Sequence, residues 1–358
     1  MIQTFSSTIR RKEMDAVLTC MVDEKLGPGE LNTKLIQSIK ENIGCDGAVA
    51  FRSPAIALSY ALKALDLEAG SGIMISALAP SWHLTAVKNL GYKPLIIDVD
   101  EESGLMSMES LNFGVKNGGR LILVHESMGI LPDIEKIIAL GLPVIEDISQ
   151  SYGASFVTSE EVSSVSTEEK KSSAGKKAGL AGVYSILGME EYDTITAGGG
   201  AVLIAPSRRE WIVLKKYTDE APETDILTDM NSALGWIQIK EFARNEQARK
   251  AIYSIFQKAL LSGKNKTFNR QSDEGSTIWS FPVVLSGSFK DVKQYSSRKE
   301  IEIKMAYEKS VISLLEDEEK SNYIHAKSLF LRTVLFPLYP RLGSESTAKV
   351  AKVLGTLP

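Results

Sequence analysis

Pro143-Val144-Ile145-Glu146-Asp147-Ile148-Ser149-Gln150-Ser151 is the stretch from which the rest of the chain can be ordered. Val144 and Ile145 are β-branched and apolar, and two carboxylates follow them at once. A short apolar run of this kind fits a strand buried on both faces of a sheet, here ending in Glu146 and Asp147. Carboxylates at such a strand's carboxyl end need a cation or a donor. A ligand would supply one, and a protonated heterocyclic nitrogen would pair well with one carboxylate. Capping of the next helix by either acid fits the same residues. Gln150 lies three residues beyond Asp147, on the same exit from the strand.

Similar apolar runs flank this one at Ala48–Phe51, Gly72–Ser76, Pro94–Val99, Leu121–His125, Val183–Leu187 and Gly200–Ile204. Segments of helical period separate the earlier ones: Asn32–Asn42, Ala55–Leu65, Trp82–Leu90, Met106–Val115 and Ile134–Ala139. Strands alternating with helices predict an α/β fold, a large three-layer domain built on a mainly parallel sheet. Ligands of such sheets sit beyond the carboxyl ends of the strands. Residues 159–177, rich in Ser, Glu and Lys, interrupt the pattern and predict a mobile, solvated insert between two core strands. Beyond Pro206 the period turns helical, with a long amphipathic stretch from Ser232 to Leu261. The last block starts as a strand at Trp279–Leu285 and continues with helical runs at Ser297–Leu315 and Ser344–Leu354. The expected domains are a large one over 1–244, with an N-terminal arm, and a small C-terminal α+β domain over 245–358.

Composition narrows the function classes. The chain has 358 residues, 44% hydrophobic and 24% charged, enough for a large core without staples. Its 41 basic and 45 acidic residues give a net charge of −4, which argues against nucleic acid or an anionic membrane surface as partner. Cys20 and Cys45 cannot form a disulfide framework, and His83, His125 and His325 show no metal-ligand spacing, so no metal site is expected. No secretory leader and no bilayer-length apolar run is read, and a reduced, cytoplasmic setting is the default.

Two further segments follow strands. In Phe51-Arg52-Ser53-Pro54-Ala55, Ser53 suits an N-cap and Pro54 the first helical turn. A helix start of this kind suits a phosphate, although Pro54 removes one N–H; taken alone, the segment favours a plain capped helix. Thr194-Ile195-Thr196-Ala197-Gly198-Gly199-Gly200 leads into a strand, so its glycines fit a turn or a close backbone approach rather than a dinucleotide fingerprint.

The order of these segments resembles the DegT/DnrJ/StrS family of sugar aminotransferases, which are pyridoxal-phosphate proteins of the aspartate-aminotransferase fold (fold type I). Leu26-Gly27-Pro28-Gly29 is similar to the family's entry motif, and Phe51–Leu58 to its phosphate-holding Ser-Gly-Thr-x-Ala-Leu segment. Gly91–Asp100, His125–Asp133, Ile145–Ala154, Ala233-Leu234-Gly235 with Gln238, then Arg249 and Tyr253, and Phe336–Pro340 continue the match over nearly the whole chain. The resemblance implies that Asp147 faces the pyridine nitrogen, that Gln150 lies beside the ring's phenolic oxygen, and that Ser185, Ser53 and Ala55 lie at the phosphate. It puts Trp82 or His83 near the aromatic stacking position.

The departures are chemical. The family's Schiff-base lysine lies between the segments matched by Ser185 and Gly199-Gly200, and this interval contains no lysine. Counting forward from Ser185 puts Glu190 in its place; counting back from the glycines puts Tyr192 there. Lys176 and Lys177 lie upstream of the strand, and the family's Gly and Thr at the phosphate are Pro54 and Ala55. Without the amine, both the covalent anchor and the proton shuttle are missing. Some relatives use a His there for cofactor-dependent sugar deoxygenation, and Glu190, Glu191 or Tyr192 is a candidate proton-transfer group, a carboxylate serving only if burial raises its pKa. Two readings stay open. One is a divergent enzyme that holds pyridoxal phosphate or pyridoxamine phosphate non-covalently and acts on a nucleotide-linked keto sugar in polysaccharide biosynthesis. The other is a non-catalytic homologue that binds a sugar or regulates a partner. A homodimer is expected, with a heteromer containing a lysine-bearing paralogue as the alternative.

Overall fold

The computed structural model describes residues 1–156, 175–270 and 275–358. The insert expected at 159–177 lies outside the described residues except for its last three, where Lys177 bridges to Ser155. Helices α1 (Arg11–Val22) and α2 (Glu30–Ile43) precede strand β1 (Gly47–Phe51). The alternation then runs α3 (Pro54–Ala64), β2 (Gly72–Ser76), α4 (Trp82–Asn89), β3 (Lys93–Ile97), α5 (Met108–Lys116), β4 (Gly119–His125), α6 (Ile134–Ile138) and β5 (Val144–Asp147). Two strands, β6 (Tyr184–Gly188) and β7 (Ala201–Ala205), complete a seven-stranded sheet of order β1-β7-β6-β5-β4-β2-β3. All neighbours are parallel except β7, which runs antiparallel to β1 and β6.

Strand period two sorts the core onto the two faces. Met74, Ile122, Val124 and Val144 point to one, packed with Leu35 and Ile39 of α2 and Leu111 of α5. Ile73, Leu121, Leu123 and Ile145 point to the other, packed with Leu58 of α3, Leu84 and Val87 of α4 and a leucine, Leu214, of α7 (Arg208–Thr218). The three-layer expectation follows from this alternation: neither face of the central strands meets water.

Helix α8 (Asp229–Leu260) is 32 residues long, and the domain boundary expected at 244 falls inside it. One continuous helix therefore packs α2 at one end and buries Tyr253 and Phe256 in the C-terminal core at the other. That core rests on a three-stranded sheet, β8 (Phe281–Val284), β9 (Lys304–Met305) and β10 (Thr333–Phe336) in the order β8-β10-β9, with helices α9 (Phe289–Arg298), α10 (Asp317–Lys320), α11 (Ile324–Arg332) and α12 (Ser344–Leu354). The helix expected over 297–315 is not formed. Glu300-Ile301-Glu302-Ile303-Lys304 alternates with period two, and the chain runs extended so that Ile301 and Ile303 both enter the small core. Sequence reading also missed α1, whose Met14, Leu18 and Met21 are each more than half exposed and so carry no core signature. Among the described residues no helix is long and apolar enough to cross a membrane.

Candidate functional site

Register explains how the site is assembled. His125 ends β4, Asp147 ends β5, and the two are paired neighbours in the sheet. Both share the parity of Leu121, Leu123 and Ile145, so both side chains point to the face covered by α3 and α4. The second residue of α4 is His83, and it meets them there. His83 Nε2 and His125 Nδ1 each lie 2.8 Å from the same oxygen, Asp147 Oδ2. The other oxygen, Oδ1, accepts from the Ser149 backbone N–H at 3.1 Å and from the Ser149 hydroxyl. Burial pushes the Asp147 carboxyl up, but the two imidazoles bonded to it, His125 ahead of His83, outweigh that and hold the group well below the usual carboxylate range. An ionised carboxylate only accepts, so the proton lies on His83 Nε2 and on His125 Nδ1. His83 is wholly buried, burial lowers its pKa, and its Nδ1 has no partner, which marks a neutral ring. Linear spacing gave no metal site; the fold nevertheless gathers His83, His125 and Asp147 within 4.8 Å, at hydrogen-bond distances.

Glu146 points to the opposite face and does different work. Its carboxylate accepts from the backbone N–H groups of Gly179, Ala181 and Gly182 at 3.1, 2.8 and 2.6 Å, fixing the turn that enters β6. Neither acid caps a helix. Beside Glu146, burial and the neighbouring carboxylate raise Glu126 far above its ordinary value, and the Ser151 hydroxyl donates to it.

A cavity of about 440 Å³ opens above His125, between the strand ends and the small domain. Gln150, Glu190 and Tyr192 line it, as do Asp193, Trp279, Lys304 and Lys309. Gln150 Oε1 is engaged by the Met128 N–H at 2.7 Å. Tyr192 stacks on Phe5, with ring centroids 4.6 Å apart, and its carbonyl accepts from Trp279 Nε1 at 2.6 Å. Trp82 lies edge-on to His83 at 4.2 Å. Ser53, Ala55, Asp147, Ser185, Trp82 and His83 do not line the cavity. Sequence reasoning passed over His125 and Asp193 as site residues. His125 stood at a strand's carboxyl end, which was the available signal; Asp193 had none.

The family model for the DegT/DnrJ/EryC1/StrS aminotransferases matches residues 7–355. The chain belongs to that family. Among curated relatives, GDP-perosamine synthase of Escherichia coli O157:H7 is 20% identical over 370 residues, covering 98% of this chain and 97% of the relative. A mutant of GDP-4-keto-6-deoxymannose-3-dehydratase solved with bound GDP-perosamine superposes with a TM-score of 0.83 at 16% identity, over 99% of this chain and 100% of that one. A proposed sugar aminotransferase of Streptococcus pneumoniae, solved in a PMP form and a PLP form, gives 0.83 at 14% identity over 97% of this chain, and 95% and 96% of those chains.

The family and its neighbours solved in PLP and PMP forms support binding of such a cofactor in general, yet several positions of this chain depart from that pattern. A carboxylate has about four acceptor positions, and all of those on Asp147 are filled by His83, His125 and Ser149, leaving none for a pyridinium N–H. The Ser185 hydroxyl donates to the Gly179 carbonyl at 2.9 Å, and the Ser53 oxygen caps α3 by accepting from the Ile56 N–H at 3.2 Å. Pro54 has no N–H to offer. Glu190 and Tyr192, the alternatives that counting gave for the lysine's position, carry no amine.

Proposed function

We propose that this chain is a nucleotide-sugar-binding member of its family that does not run pyridoxal Schiff-base chemistry, with a protein-internal His–Asp–His cluster standing where the cofactor ring would attach. One observation carries the reading: both oxygens of Asp147 are fully engaged by side chains and backbone of this chain. An Asp that faces a pyridinium must keep an acceptor position open toward it.

The ligand class rests on the relatives and on the cavity. A curated relative makes GDP-perosamine and a structural neighbour binds it. A volume of about 440 Å³ lies within the range of small-ligand sites, about 300–1,000 Å³. Phe5, Tyr192 and Trp279 supply flat apolar walls for a base or a sugar face. Lys304 and Lys309, in no ion pair among the described residues, offer positive charge to a diphosphate. Absence of pyridoxal chemistry favours the binding-homologue reading over the divergent transaminase. The proposed assembly is a homodimer, with the exposed Met14, Leu18 and Met21 row of α1 offered to a second copy.

The test is a spectroscopic titration with pyridoxal phosphate and pyridoxamine phosphate, followed by borohydride and intact mass, beside calorimetric titration with a GDP-linked 6-deoxyhexose. The expected result is saturable nucleotide-sugar binding, no saturable cofactor band and no reduced adduct. A stoichiometric adduct, on Lys304 or Lys309 for instance, overturns the reading. So does cofactor binding that Asp147→Asn weakens.

A further inference from the structure

The cluster that closes the cofactor position also builds something. His125 donates from Nδ1 to Asp147, and that bond fixes both the tautomer and the plane of the ring. Because Nδ1 is engaged, Nε2 is the ring atom that remains to meet a molecule in the cavity His125 lines. Asp147 is in turn held rigid by Ser149 and His83. A histidine oriented by a buried carboxylate, with its other nitrogen not engaged by that carboxylate and its ring lining a ligand cavity, has the construction of a general base.

A second titratable group, Asp193, lines the same cavity. Asp193 Oδ2 accepts from the Glu190 N–H at 2.9 Å. This oxygen and Ser149 Oγ both lie against Gly188, where a Cβ would come within 2.8 and 2.6 Å of them. The Asp193 carboxyl is therefore next to the hydroxyl that bonds Asp147. Burial, opposed by the Glu190 N–H and aided by the charges of Asp147 and Glu190, raises this carboxyl to about 8, so it holds its proton at neutral pH.

We propose that His125, oriented by Asp147, removes and returns a proton at the carbon beside the carbonyl of a nucleotide-linked keto sugar, while the Asp193 carboxyl serves the carbonyl oxygen. The inference rests on the ligand class proposed above and adds an activity to it. In the forward step the Nε2 lone pair takes the proton, and the C–H electrons form the C=C bond. The carbonyl π pair then takes the Asp193 proton, giving an enol. In the reverse step Asp193 recovers its proton and His125 returns one to carbon. Electrons and atoms balance without an oxidant, a reductant or a second substrate. Exchange of the His125 proton with water between the two steps writes solvent hydrogen into the sugar.

The experiment incubates the full-length protein with GDP-4-keto-6-deoxymannose at saturating concentration in deuterium oxide. Proton NMR follows loss of the C–H signals beside the carbonyl. Exchange is expected above the protein-free rate, and His125→Asn, which keeps an N–H for Asp147, should slow it by on the order of 100-fold. Should that variant fail to fold, Asp193→Asn leaves the His125–Asp147 pair intact and should slow exchange by on the order of tenfold. Calorimetric binding without exchange, or exchange unchanged in a folded variant, overturns this proposal and leaves the binding reading standing. No binding at all overturns both.

Discussion

At Asp147 four donors converge on two oxygens, and the consequences reach beyond that side chain. Removing one hydrogen-bond partner of a buried ionised carboxylate costs about 1–3 kcal/mol or more, because the desolvated charge is left short of a donor. The histidines are thus as much a structural requirement of the buried carboxylate as a feature of the cavity. Asp193 shows the opposite balance, with a folded value near 8 against an ordinary 3.8. The folded state keeps a proton that the unfolded chain releases, so stability is full below about pH 4 and falls as pH rises toward 8. Asp193→Asn removes that dependence. Its melting temperature should exceed that of the parent by about 2 °C or more near pH 9, and the gap should close toward pH 4, as scanning calorimetry would show. Of these residues, the sequence made Asp147 and Gln150 visible, because strand-end acids are conspicuous and their motif has a family counterpart. It did not make visible that His83 reaches Asp147, since a contact spanning 64 residues has no local signature.

Elements carry these side chains to their meeting point, and at this scale the sequence was most readable. The seven expected strands of the large sheet are formed within two residues at each end, because buried parallel strands are continuous apolar runs. Periodicity failed between 297 and 315, where polar residues of high helix propensity border a two-residue alternation that packs inward. One joint is exacting. After β4 the chain turns through Met128 and Gly129, both at positive φ, and Gly129 Cα sits so close to the small domain that a Cβ would meet the Thr277 carbonyl at 2.2 Å. Gly129→Ala should therefore cost about 3 kcal/mol in chemical denaturation, more than a turn glycine facing open space. Gly91, which also has positive φ but no atom within 4 Å of its Cβ position, is the matched control.

Taken whole, the molecule is a large α/β layer and a small α+β layer joined by α8, with the cavity where they face each other. Fold class was legible from the alternation of elements alone, whereas the cavity was not, since its walls come from residues as distant as Phe5 and Leu335. The exposed apolar row of α1 belongs to this scale too. Sedimentation velocity should find a dimer, and Leu18→Glu combined with Met21→Glu should shift it to monomer; a parent protein that sediments as a monomer would refute the dimer. The saturated Asp147 has one more consequence. Proteins that leave a buried carboxylate for a cofactor to neutralise are stabilised by that cofactor through mass action. On the reading proposed above, the partners of that carboxylate are encoded in the chain, so the protein's survival in a cell starved of vitamin B6 should match its survival in a replete one.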